Sequence, residues 1–222
     1  GKSIGLPLYK MLGGAVRNRA PFGAYAYTVD LEEGYTESDV PAVMAGIASE
    51  SILRSGAKLF EFKVGRHSVD CDIATVEAIR DAVGPTVDLA VDANLAMPFD
   101  AARRFLDATR VPKLAMVEEP VALLKDMERL RADYGAPIST HCTDPEKLRA
   151  YPLIDGIVGD LNVDGGIRGV MSTASIIRSM GKRFWLRSNG ETGVGGAALC
   201  HLGMACPELD RPAQSLLNWC ED

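Results

Sequence analysis

The chain has 222 residues, of which 47% are hydrophobic and 24% are charged. These values are typical of one globular domain with a large core, and the length is near the low end for an eight-stranded α/β barrel. The net charge of −6 argues against partners that are nucleic acids or anionic membrane surfaces. No apolar run is long enough to span a membrane and no signal peptide opens the chain, so we expect a cytoplasmic protein.

The five cysteines form no CxxC pair, which favours reduced thiols over a zinc cluster. The chain begins without Met and stops just after an apolar run. We therefore expect it to be a piece of a longer protein.

Apolar stretches typical of strands alternate with amphipathic stretches typical of helices. A helix end is predicted in residues 1–19, closed by Gly13 and Gly14. Strands are predicted in residues 20–29, 58–64, 87–94, 114–120, 136–141, 156–161 and 183–186, with a last short strand in 213–219. Helices are predicted in residues 40–54, 70–83, 99–110, 122–134, 144–150, 166–180 and 197–204.

This order predicts an α/β fold built from repeated βα units, whose strands are parallel. Two arrangements fit it, a closed TIM-type barrel and an open doubly wound sheet. We favour the barrel because polar residues close several strands, as at the active-site end of such barrels. An open sheet often carries a glycine-rich phosphate loop, but Gly165 and Gly166 lack the GxGxxG spacing. Residues 1–19 then form a helix or linker, and residues 20–222 form the barrel.

Two neighbouring strands each end in a carboxylate, Asp92 after VDLAV and Glu118 after LAMV. Because the strands of a βαβ unit are parallel, we expect both side chains to emerge at the same edge. Two adjacent carboxylates need a cation or a shared proton, and oxygen ligands suit Mg²⁺. The alternative is that Asp92 caps a helix and Glu118 is solvated.

A lysine and a histidine close two other strands. Lys63 ends the second strand, with Glu61 on the same face, and a buried lysine beside a metal can act as a base. The alternative is a Glu61–Lys63 salt bridge on a surface strand. His141 follows Asp92 and Glu118 at a spacing of about one βα unit, which predicts a third metal ligand. The alternative is a hydrogen-bonded polar histidine.

Two further polar positions follow the sixth and seventh strands. Asp160 is predicted either to act in the site or to cap the helix that begins near Gly166. The glycine-rich segment 187–193, with the single acid Glu191, is either a substrate-contacting loop or a solvated turn.

With these residues in place, the chain resembles the mandelate racemase and muconate-lactonising branch of the enolase superfamily. The resemblance is carried by five motifs, which are FKVG (62–65), VDAN (91–94), VEEP (117–120), PIST-His (137–141) and GDLNVDGGI (159–167). It is closest to the glucarate-dehydratase-like subgroup, which acts on acid sugars. The resemblance implies a modified (β/α)7β barrel, an N-terminal capping domain missing from this chain, and a homo-oligomer.

The resemblance also implies roles for individual residues. Asp92, Glu118 and His141 become Mg²⁺ ligands, and the nitrogen ligand leaves Mn²⁺ open as an alternative. Lys63 becomes the base, while Glu61 replaces the first lysine of the Lys-x-Lys motif. Many members of the family pair a strand-six Asp with a strand-seven His; Asp160 matches the Asp, and the His position is assigned to Glu191. The predicted substrate contacts are Glu61, Asn94, Asn162, Ser188 and Asn189.

The implied activity is dehydration of a sugar acid. Lys63 removes the proton α to a metal-bound carboxylate, an enediolate forms, and the β-hydroxyl leaves. Asp160 and Glu191 are the other expected catalytic residues. The alternatives are a racemase or epimerase of an α-substituted carboxylate, and a non-catalytic barrel that binds a carboxylate and a metal.

Overall fold

The computed structural model describes residues 1–110 and 113–214, and its contacts divide the chain into two compact units. One unit comprises residues 24–140 and 146–155, and is called here the β1–β5 unit. The other comprises residues 1–23, 141–145 and 156 onward, and is called here the β6–β7 unit.

The β1–β5 unit contains a parallel sheet in which each strand pairs with the next strand in the chain. Its strands are β1 (Ala24–Ala26), β2 (Leu59–Lys63), β3 (Asp88–Asp92), β4 (Met116–Glu118) and β5 (Ile138–Thr140). The helices between and after them are α2 (Val40–Ser55), α3 (Val69–Val83), α4 (Phe99–Ala108), α5 (Leu124–Tyr134) and α6 (Pro145–Arg149). The predicted alternation of strands and helices is therefore confirmed here.

Strand β2 is buried along its whole length, so both of its faces are covered. Phe60 and Phe62 lie on one face with their rings stacked 5.9 Å apart, and both are fully buried in the core. Because side chains alternate along a strand, Glu61 and Lys63 share the other face. The apolar face of β2 packs in the core, whereas its other face carries the charged side chains.

The β6–β7 unit contains two parallel strands, β6 (Gly156–Gly159) and β7 (Arg183–Leu186). Its helices are α1 (Leu8–Met11), α7 (Gly166–Ser179) and α8 (Gly193–Ala205). A Cβ at Gly159 would lie 2.4 Å from the Phe184 ring, so only glycine allows this close packing of the two strands.

Two predicted elements start four residues away from the predicted position. The first strand covers only Ala24–Ala26, because the preceding chain bonds elsewhere: Gly23 donates to Ala213, and Ala213 donates to Pro21. Helix α8 begins at Gly193, four residues before the predicted start. In the predicted last strand, Ala213 forms an isolated parallel bridge with Phe22, and residues 215–219 lie outside the described part of the chain.

The four cysteines within the described ranges are free thiols, namely Cys71, Cys142, Cys200 and Cys206. Burial raises the pKa of the Cys206 thiol to about 11, so it stays protonated at neutral pH. Across residues 1–110 and 113–214, no helix combines the length and the apolar character needed to cross a membrane.

A buried acid on α3 holds the loop that follows β2. Asp72 is 3% exposed, and its carboxylate accepts a hydrogen bond of 2.8 Å from the backbone N–H of Gly65. Burial, and to a smaller extent the charge of Glu37, raises the pKa of Asp72 from 3.8 to about 7, although the Gly65 hydrogen bond opposes this. The folded state therefore binds a proton that the unfolded state releases near pH 4.

The expected result of Asp72→Asn is a pH-dependent gain in stability. Because the pKa of Asp72 is raised in the folded state, the contribution of Asp72 to the free energy of unfolding is fully present below about pH 4. That contribution is lost as the pH rises to about 7. The neutral amide avoids that loss, so the variant should gain up to about 4 kcal/mol over wild type at pH 8 and little at pH 4. Urea unfolding at both pH values measures the difference.

Asp70→Asn is the matched control, because Asp70 lies on the same helix but its side chain is 69% exposed and pairs with Arg104. A gain for Asp72→Asn that is equal at both pH values would contradict the raised pKa.

Candidate metal and proton-transfer site

A row of polar side chains runs across the carboxyl ends of four strands in the β1–β5 unit. Lys63 on β2 lies beside Asp92 on β3, Asp92 beside Glu118 on β4, and Glu118 beside Ser139 on β5. Their residues are 8%, 2%, 2% and 0% exposed, respectively. The expectation that Asp92 and Glu118 emerge at the same edge of neighbouring strands is confirmed.

The two carboxylates are close enough to share one cation. An oxygen of Asp92 and an oxygen of Glu118 lie within 4.8 Å of each other. Asp92 is not a helix cap, because α4 has Pro98 at its N-cap position and no side-chain cap bond. Glu118 is buried rather than solvated. The alternatives, in which Asp92 caps a helix and Glu118 is solvated, are therefore wrong.

The loops after β3 and β4 hold the pair in place. Ala93 N–H donates to the Glu118 carbonyl at 3.0 Å, and Leu95 N–H donates to the Glu119 carbonyl at 2.7 Å. Asn94, Leu95 and Glu119 have positive φ values of 44°, 64° and 43°. Backbone of this kind costs free energy in non-glycine residues and persists only where the surroundings impose it, often at functional sites.

Lys63 forms its ion pair with Asp92. Its ammonium donates to Asp92 Oδ2, which also accepts from the side-chain amide of Asn94 at 3.2 Å. The backbone N–H of Asn94 donates to Asp92 Oδ1 at 2.8 Å. The alternative of a surface strand with a Glu61–Lys63 pair is wrong, because β2 is buried and Lys63 pairs across to β3. Asn94 thus supports a predicted metal ligand, and its role as a substrate contact stays a prediction.

Tyr25 belongs to this site and was missed in the sequence. It lies opposite Glu61 in the β1–β2 register, with its ring centroid 5.9 Å from Lys63 Nζ and edge-on to Tyr27. Burial, followed by the charges of Tyr27, Glu61 and the two site carboxylates, raises the pKa of Tyr25 above its ordinary value. Its hydroxyl is therefore neutral. The alternating tyrosines of APFGAYAYTV were the available signal.

The donor set fits a hard divalent cation. Asp92 and Glu118 offer carboxylate oxygens, and the buried hydroxyl of Ser139 beside Glu118 has no hydrogen-bond partner in the described structure. Mg²⁺ prefers oxygen ligands and is commonly held by one or two carboxylates. The two acids are the residues that would hold it.

His141 follows β5 directly and belongs to the β6–β7 unit. Its Nδ1 lies 2.5 Å from Nη1 of Arg187, and since a guanidinium only donates, Nδ1 is the acceptor. In a neutral imidazole only one nitrogen can accept a hydrogen bond or bind a metal, because the other carries the proton. His141 can therefore bind a metal only when its contact with Arg187 is broken. Its role as third ligand stays a prediction.

Asp160 follows β6 and accepts three hydrogen bonds within its unit. Oδ2 accepts from Arg187 Nε at 2.8 Å and from Asn189 Nδ2 at 2.7 Å, while Oδ1 accepts from Asn162 N–H at 2.6 Å. Asp160 does not cap α7, whose N-cap is Gly165 with no side-chain bond. The ion-pair partner of Asp160 is Arg187, the first residue after β7, for which no individual role was predicted from the sequence.

Glu191 is engaged in its own loop. Its carboxylate accepts from the Ser188 hydroxyl and, at 3.0 Å, from the backbone N–H of Asn189. A Cβ at Gly195 would lie 2.5 Å from the Glu191 Cβ, so glycine makes room for this turn at the start of α8. The segment is a compact, hydrogen-bonded turn, and the catalytic role of Glu191 stays a prediction.

Comparison with known proteins identifies the family. Residues 43–222 match the model of the "Enolase C-terminal domain-like" family. A "probable glucarate dehydratase" of Streptomyces coelicolor is 28% identical over 99% of this chain and 54% of its own length. The chain thus spans about half the length of that relative.

Two solved structures resemble the chain over nearly all of its residues. An isomerase from Streptomyces coelicolor A3(2) has a TM-score of 0.88 and 28% identity, covering 100% of this chain and 62% of its own. An enolase from Pseudomonas fluorescens Pf0-1, with bound magnesium, potassium and tartrate, has a TM-score of 0.85 and 25% identity, covering 99% and 54%. The predicted α/β fold of TIM-barrel type and the predicted superfamily are confirmed. The chain belongs to the enolase C-terminal domain-like family.

Proposed function

We propose that this chain is the catalytic part of a Mg²⁺-dependent dehydratase that acts on a sugar acid. The observation that carries the proposal is the buried row in which Lys63 lies beside Asp92 and Asp92 lies beside Glu118. A basic nitrogen next to a pair of metal-binding carboxylates is the arrangement needed to remove a proton α to a carboxylate.

In the proposed reaction, a cation held by Asp92 and Glu118 supplies positive charge that stabilises the deprotonated substrate. If Asp92 held that cation, it would no longer pair with the Lys63 ammonium, which could then lose its proton to solvent and act as the base. Lys63 takes the α-proton, and the C–H electron pair delocalises into the substrate carboxylate. The pair then forms the Cα=Cβ bond as the β-hydroxyl leaves. Lys63 returns its proton to that hydroxyl, so the products are water and an enol that becomes a 2-keto-3-deoxy acid.

The relatives support the general class and leave two reaction types open. One relative is named a probable glucarate dehydratase, whereas the structure from Streptomyces coelicolor A3(2) is named an isomerase. GDLNVDGGI and the Ser188-Asn189 pair favour the dehydratase, through their likeness to the glucarate-dehydratase-like subgroup. A racemase or epimerase is the second candidate, and it requires a second base.

Incubation of the full-length protein with a panel of sugar acids and Mg²⁺ in D₂O, followed by proton NMR, tests this proposal. A dehydratase removes the α-proton signal and forms a 2-keto-3-deoxy product. An epimerase incorporates deuterium at the α-carbon without losing water. If no sugar acid reacts while Mg²⁺ is bound, the proposed activity is wrong.

A further inference from the structure

A guanidinium that is held by two side chains lies directly after strand β7. Arg187 directly follows β7, and its backbone N–H donates to Gly159 on β6 at 3.0 Å. Its Nε is fixed by Asp160, which is 2% exposed, and its Nη1 by His141. In the family that the sequence resembles, Asp160 would instead orient a histidine base.

This exchange changes the chemistry available at that position. Histidine can accept a proton near neutral pH, whereas a guanidinium stays protonated in proteins and only donates hydrogen bonds. Asp160 therefore orients a fixed positive charge. If Arg187 served only as the counter-ion of Asp160, its Nε would be sufficient. Asn189 and Asn162 already donate hydrogen bonds to the same carboxylate.

One side of the guanidinium is available for a ligand. The Arg187 side chain is 21% exposed, and no residue in the described ranges accepts a hydrogen bond from its Nη2. In α/β barrels, residues that directly follow a strand face the substrate end. A pre-oriented arginine with a free N–H group there suits a carboxylate or another oxyanion.

We propose that Arg187 is a substrate-contacting residue that binds an oxyanion of the acid substrate. The inference rests on the proposed function and deepens it, because it assigns recognition of the acid substrate to a guanidinium at the position where the family would place a histidine base.

The first test is ligand binding, which does not depend on turnover. Thermal unfolding is followed with Mg²⁺ alone and with Mg²⁺ plus tartrate as the probe. Wild type should be stabilised further by tartrate, whereas Arg187→Met should keep the Mg²⁺ shift and lose the tartrate shift. Arg183→Met is the matched control, since Arg183 begins the same strand and pairs with Asp210. An unchanged tartrate shift in Arg187→Met, or no tartrate shift in wild type, overturns the inference.

The second test is kinetic and uses a sugar acid that the wild-type protein dehydrates. Arg187→Met should lose about 100-fold in kcat/KM, as when a fixed oxyanion donor is removed, and Arg183→Met should keep the wild-type value. An unchanged kcat/KM in Arg187→Met overturns the inference. A tartrate effect without turnover of any sugar acid leaves the Arg187 contact standing and refutes the dehydratase.

Discussion

Replacing Lys63 with methionine should abolish exchange of the substrate α-proton while the chain still folds. Lys63 is the basic side chain in the buried row, and its nitrogen adjoins the carboxylate pair. Methionine fills a similar volume without a nitrogen that can accept a proton. Loss of a general base typically slows a reaction by about 10²–10⁴-fold, so exchange in D₂O should fall to the background rate.

Lys58→Met is the matched control, because Lys58 is an exposed lysine that immediately precedes the same strand. It should retain the wild-type exchange rate. Circular dichroism and thermal unfolding establish that the Lys63 variant is folded, and Lys63→Arg adds a variant that keeps the charge beside Asp92 but is a much weaker base. Exchange at the wild-type rate in Lys63→Met would show that another group removes the proton.

The positions of the acids could be predicted because they depend on two general rules. Parallel strands bring their carboxyl ends to one edge, and side chains alternate along each strand. These rules place Asp92, Glu118 and Lys63 without knowledge of the neighbouring strands. The partner of Lys63 could not be predicted in the same way. Its pairing with Asp92 depends on the β2–β3 register, which aligns the two residues across the sheet.

The ion-pair partner of Asp160 could not be predicted from the sequence either. Residues 187–193 contain several polar side chains, and their order does not show which one turns towards the sixth strand. The structure decides this through the register, since Leu186 pairs with Gly159 and the next residues on both strands are Arg187 and Asp160. Glu191 instead accepts hydrogen bonds from its own turn. Tyr25 was missed for a related reason, because an aromatic residue in a strand usually indicates core packing.

The carboxylate pair leads to the second large prediction, which is that Asp92→Asn and Glu118→Gln each remove the stabilisation of the protein by Mg²⁺. A ligand that binds only the folded state stabilises it by about 2.7 kcal/mol at 100 times its Kd. In a chain of this size that corresponds to a rise in Tm of roughly 5–10 °C. Each variant removes one negative charge from the pair, so the Mg²⁺-dependent rise should be lost, and EDTA should reverse it in wild type only.

The two variants distinguish a metal site from an ion pair that only stabilises the fold. Asp92→Asn also removes the partner of Lys63, and it can lower stability without metal, whereas Glu118→Gln leaves the Lys63–Asp92 pair in place. Asp88→Asn is the control, since Asp88 is an exposed acid at the opposite end of the same strand. If Glu118→Gln keeps the full Mg²⁺ shift, Glu118 is not a ligand. If both variants lose the shift and Asp88→Asn keeps it, the buried acids bind the cation. Two like charges within 4.8 Å of each other then have their physical explanation, because the bound ion offsets the repulsion between them.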